Sequence, residues 1–75
     1  MEREVFCTIN HYGKNWDVVS FEKRYDVEGK PYYGRYDAIN TKQKKRLLDW
    51  CAKQPWNIQR NVLQFVQEVD ADGSV

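Results

Sequence analysis

At 75 residues the chain has room for one small domain and no separate catalytic domain. Hydrophobic residues at 41% and charged residues at 31% exclude a disordered segment, and no apolar run approaches the ~20 residues that cross a bilayer as a helix. The formal net charge of +1 supplies no global field to draw in nucleic acid.

The opening residues Met1-Glu2-Arg3-Glu4 lead into no apolar signal core, so a cytoplasmic location is expected. The first strand is predicted over about Arg3–Tyr12, where Val5, Cys7 and Ile9 alternate with Phe6, Thr8 and Asn10. A three-residue loop, Gly13-Lys14-Asn15, follows, with Asn in the left-handed position. It would pair Tyr12 with Trp16, Ile9 with Val19 and Cys7 with Phe21. The second strand covers about Trp16–Val27. A two-residue turn at Glu28-Gly29 then leads into a third strand over about Tyr32–Ala38. This register sets Tyr25 opposite Tyr32, Glu22 opposite Arg35 and Arg24 opposite Tyr33, an ion pair and a cation–aromatic pair. The expected core face is Val5, Cys7, Ile9, Val19, Phe21, Tyr25, Tyr32, Tyr36 and Ala38. The outer face is mixed, aromatic and basic, and carries Phe6, Tyr12, Trp16, Val18, Ser20, Glu22, Arg24, Tyr33 and Arg35.

The second half reads as two helices. Asn40 or Thr41 caps the first, and Gln43 stands at capping-box spacing from Asn40. Leu47, Leu48, Trp50 and Cys51 form its apolar side, and Pro55 either ends it or kinks it. The second helix spans about Trp56–Val69, with Ile58, Val62, Phe65, Val66 and Val69 on one stripe. Residues 70–75 read as a polar, frayed tail beyond a domain of residues 1–69. Strands followed by helices give an α+β fold, a three-stranded antiparallel sheet in β-β-β-α-α order with both helices on one face.

Charge is unevenly spread. Residues 42–60 carry a net +5 and residues 61–75 a net −3. Lys42, Lys44, Lys45 and Arg46 crowd the start of the first helix. The helix dipole makes cations unfavourable there by about 0.3–1 kcal/mol each. Such a site suits a phosphate or an acidic partner, against the plainer reading of a solvated lysine face. The aromatic–basic set Tyr12, Trp16, Arg24, Tyr33 and Arg35 has the residue types of interface hot spots and of base-stacking platforms. The plainer reading is that these rings cover one another.

No metal site or cofactor is expected. Cys7 and His11, four apart on a strand, stand about 13 Å apart, too far for one ion. The cysteines have no C-x-x-C spacing and read as small buried hydrophobes, with a Cys7–Cys51 bridge open only to an exported chain. No paired carboxylates and no glycine-rich phosphate loop appear, so no catalytic residue is assigned and an enzyme is not expected.

The stretch Tyr36-Asp37-Ala38-Ile39-Asn40-Thr41-Lys42-Gln43-Lys44-Lys45-Arg46-Leu47-Leu48-Asp49-Trp50 distantly resembles the arm-type DNA-binding domain of phage and transposon integrases. There, three antiparallel strands precede a helix with a threonine- and lysine-rich start. The resemblance spans about half the chain, Trp16 to Trp50, and implies a sheet face laid in the DNA major groove. Glu22, Asp37 and the second helix depart from that pattern. The small, aromatic-rich, motif-free chain is also similar to accessory proteins of phages and mobile elements, such as host-enzyme inhibitors and anti-CRISPR proteins. The expectation is a non-catalytic interaction protein, an inhibitor or modulator. It would bind a protein or nucleoprotein partner through the outer sheet face and the basic start of the first helix. A DNA- or RNA-binding module is the alternative. A homodimer extended by Trp56 and Leu63 is a further option, and no membrane partner is expected.

Overall fold

Three antiparallel strands come first: β1 (Val5–Tyr12), β2 (Asn15–Tyr25) and β3 (Pro31–Thr41), in spatial order β1-β2-β3. Two helices follow, α1 (Lys44–Cys51) and α2 (Trp56–Gly73). The computed structural model describes residues 4–73. Arg3, expected to begin the first strand, and positions 74–75 of the expected tail lie outside the described residues. The α+β class and the element order are as the sequence implies.

Both hairpin turns differ from expectation by one residue. The first closes on Tyr12↔Asn15, with Gly13-Lys14 alone in the loop. Gly13 takes φ 61° and among the described residues no non-glycine residue has positive φ, the pattern of a II′ turn. Asn15 is thus a strand residue and not a left-handed loop residue. Nothing lies within 4 Å of a Cβ built on Gly13. Gly13→Ala should therefore cost only the left-handed penalty, about 1–2 kcal/mol. That is a fall of several degrees in thermal midpoint for a domain of this size, and an unchanged melting curve would contradict the turn.

The second turn is longer than expected. Asp26 and Lys30 close a loop of Val27-Glu28-Gly29, the backbone N–H of Asp26 donating to Lys30 O at 3.0 Å. Asp26 Oδ1 accepts from the N–H groups of Glu28 and Lys30 at 2.8 and 2.9 Å, and Gly29 takes φ 81°. A three-residue loop ending in a left-handed glycine is a standard hairpin device. The register change it introduces is absorbed at a bulge. Ser20 pairs with Asp37 but Phe21 pairs with Arg35, leaving Tyr36 as the extra residue.

A one-residue slip exchanges the two faces of a strand. In β1 the expected core residues Val5, Cys7 and Ile9 do face the helices. In β2 the inward set is Trp16, Val18 and Ser20, and the expected Val19, Phe21 and Tyr25 belong to the opposite face. In β3 Ile39 joins the core, where Ala38 was expected. Glu22 faces Gly34 instead of Arg35, and Arg24 faces Tyr32 instead of Tyr33.

The helices close the core from one side. Val18, Leu47, Ile58 and Val62 are fully buried, with Val5, Trp16, Cys51 and Val66 around them. The α2 stripe packs as its spacing predicts. The start of α1 is later than expected: Asn40 and Thr41 continue β3, and Gln43 is the N-cap, without a side-chain cap bond. The Thr41 hydroxyl instead accepts from the Gln43 N–H at 3.0 Å. Pro55 separates two helices, and its carbonyl accepts from Ile58 and Gln59 at the start of α2. α2 continues past Val69 to Gly73, so residues 70–73 are helical.

The extents are 51 × 22 × 19 Å and the radius of gyration is 14.1 Å. A compact chain of this length would have about 11 Å. The excess comes from β2 and β3, which run past the end of β1 as a two-stranded ribbon.

Candidate functional site

Strand pairing assembles a ring cluster on the face away from the helices. Phe6 and Phe21 are directly opposed and stack with centroids 5.2 Å apart. Tyr33 meets Phe6 edge-on at 4.9 Å. The bulge makes this possible: by unbroken alternation from Asp37, Arg35 and Tyr33 would point toward the helices. With Tyr36 extra, Arg35 lies across from Phe21 and Tyr33 across from Lys23. Lys23 Nζ sits 3.3 Å from Glu4 and 5.8 Å from the Tyr25 ring centroid. Its pKa is raised, chiefly by the hydrogen bond to Glu4 and that carboxylate's charge. The exposed rings are substantial, at 40% for Phe6, 55% for Tyr33 and 64% for Tyr25.

The expected contact residues are therefore divided. Tyr33 and Arg35 lie on the outer face as expected, because the flipped face of β2 and the bulge in β3 offset each other. Tyr12 is on that face too, but at the far end of β1, beside the first turn. Arg24 is on the helix-bearing face, beyond the helices. Its guanidinium donates to Glu22 at 3.1 Å and to the Arg35 carbonyl at 3.2 Å, and it lies over Gly34.

Trp16 requires correction. It is 5% exposed, packed with His11 at 4.0 Å and Phe65 at 6.2 Å between ring centroids. It is a core residue on the helix-bearing side and does not belong to the outer-face contact set. Phe21, Lys23 and Tyr25 were not among the expected contacts. A glycine that opens a two-residue turn with Lys14 was the signal for them, since that turn places Phe21 outward.

The basic segment is at the other end of the molecule. Trp16, which pairs with Thr41 just before it, is nine residues along β2 from Tyr25, about 30 Å. Lys42 precedes α1, Lys44 begins it, and Lys45 and Arg46 are exposed on its first turn. Lys44 is ion-paired with Asp70 of α2. The single aromatic-and-basic surface expected from the sequence is thus two patches at opposite ends.

The thiols are quiet. Burial raises the pKa of both cysteines, with the proximity of Cys51 a further cause for Cys7, so little thiolate forms near neutral pH. Among the described residues no three His, Cys, Asp or Glu gather into a metal-binding group, and no helix is long and apolar enough to cross a membrane. Comparison with protein-family models, curated proteins and solved structures finds no match. The functional reading therefore rests on the surface itself.

Proposed function

We propose that this chain is a non-catalytic interaction module that binds a protein or nucleoprotein partner through its outer sheet face, acting as an inhibitor or modulator by occupying the partner's surface. The observation that supports this reading is the Phe6–Phe21–Tyr33 cluster, bordered by Arg35, Lys23 and Tyr25 and left uncovered by the helices. Tyr within an apolar patch and Arg at its border are residue types that carry binding energy, because they bury large area and retain a polar end. The β2–β3 ribbon extends that face beyond the core and gives it reach. Nucleic-acid binding on this face is the weaker reading. Glu4 and Asp17 share the face, Lys23 is already paired with Glu4, and the lysine-rich segment stands about 30 Å away.

The test is the double change Tyr33→Ala plus Arg35→Ala. Both side chains are exposed, so the fold should persist, as read by circular dichroism and a melting curve. Loss of the two anchors should weaken partner binding by about 2–4 kcal/mol. Tyr12→Ala, outside the ring cluster, should leave binding within about twofold. Unchanged capture by the double variant, or capture of nucleic acid alone, would overturn the reading.

A further inference from the structure

A groove opens at the end of the molecule opposite the ring cluster. Its volume is about 490 Å³, within the ordinary range of small-ligand sites. Three separate chain segments bring cations to it: Lys14 from the first turn, Lys42 from the β3–α1 connection and Lys44 from the start of α1. His11 and Trp16 line it with rings in contact and tilted 38° to each other, and Asp70 stands on its α2 side, paired with Lys44. Among the described residues Lys14 and Lys42 have no ion-pair partner. Three lysines and one aspartate lining the groove give it a formal excess of two positive charges. The N-cap Gln43 places no side chain on the backbone N–H groups of the first turn of α1 beside it.

We infer that this groove binds a compact oligophosphate, two or three linked phosphate groups held by Lys14, Lys42 and Lys44 over the His11–Trp16 floor. Ammonium groups on three different segments match an anion that presents several oxygens in different directions. The last turns of α2 decide between ligand classes. Asp70 puts a carboxylate on the α2 side of the groove, Glu68 and Asp72 add negative charge to the same end of that helix, and a nucleic-acid strand running through the groove would have to pass it. A short anion that ends inside the groove does not. The chemistry is shared by inorganic oligophosphate and by the tail of a nucleoside triphosphate.

The experiment is an amide NMR titration of the full chain with inorganic tripolyphosphate, with sulfate at matched ionic strength as control. Saturable shifts are expected at residues 11, 13–14 and 42–44. The double change Lys14→Gln plus Lys42→Gln removes two exposed side chains and should raise the dissociation constant by about tenfold or more. A parallel titration with ATP identifies the source: equal or tighter binding assigns a nucleotide tail, and weaker binding assigns free oligophosphate. Shifts no larger than those with sulfate, shifts spread equally over Lys45, Arg46 and Lys53, or an unchanged constant in the double variant would overturn the site. Tighter binding of an oligonucleotide lacking terminal phosphates would overturn the ligand class.

Discussion

Trp16→Ala should lower the unfolding free energy by about 3–5 kcal/mol, the range for truncating a large buried aromatic. The ring is 5% exposed and is held between His11 of β1 and Phe65 of α2, so its removal empties the junction of strand and helix layers. A domain of this size has a total stability of only about 4–11 kcal/mol. Urea denaturation should show a large fall in midpoint, with part of the population unfolded in buffer. Tyr12→Ala, at the residue that precedes the first turn and is 58% exposed, should stay within about 0.5 kcal/mol of the parent. If Trp16→Ala kept the parent midpoint, the register of β1 and β2 described above would be wrong by one residue.

Asp37→Ala should cost about 1–3 kcal/mol, because it strands a buried donor. The Asp37 carboxylate accepts from Gln54 Nε2 at 2.8 Å and Trp50 Nε1 at 3.0 Å, and so ties the α1–α2 connection to β3. Gln54 is 5% exposed and its Oε1 has no partner among the described residues. Removing the carboxylate would leave both ends of that amide unsatisfied. The same contacts give a pH dependence. Partial burial pushes the Asp37 pKa up. The backbone N–H of Ala38, the Gln54 and Trp50 donors and the Arg35 charge outweigh it and hold the pKa below the usual carboxylate value. A carboxyl whose folded pKa is depressed stabilises the fold above the unfolded-state pKa, near ~3.9 for Asp. That contribution is lost as pH falls through the folded pKa. Denaturation midpoints measured between pH 6 and 3 should therefore decline more steeply for the parent than for Asp37→Asn. Parallel curves would remove Asp37 from the account.

Much of the architecture could be read from residue order. The α2 stripe Ile58, Val62, Val66 has one way to face a sheet, and Pro55 cannot continue a helix with its ring against the preceding turn. The faces of β2 and β3 were harder, because each strand is apolar on both sides. Trp16 and Val18 compete with Val19 and Phe21 for the core, and pattern alone does not choose between them. The choice is made by turn length. A Gly at the first loop position admits either a two- or a three-residue loop here, and the difference of one residue exchanges the faces. The bulge at Tyr36 has no local signature of its own. It follows from the three-residue loop at 27–29 together with the need to keep Ile39 inward. The candidate contacts inherited these ambiguities, so Tyr33 and Arg35 were placed on the correct face while Trp16 was not. The groove between the first turn and α1 needs three segments distant in sequence, which no spacing rule joins.

The long ribbon has a consequence for how the molecule tolerates change. Tyr25 and Tyr32 stand where β2 and β3 have only each other, beyond β1 and both helices. Substitutions there and substitutions in the Leu47–Ile58–Val62 core share no neighbours, so their energies should add. The tip should accept substitution, residue by residue, without drawing on the stability of the domain that carries it. Fraying can also begin at the tip and stop at Phe21, where the rings of Phe6 and Tyr33 close over the sheet. Amide exchange should rise stepwise along the ribbon and leave the helices protected, so the surface of the tip and the stability of the core can vary separately in one short chain.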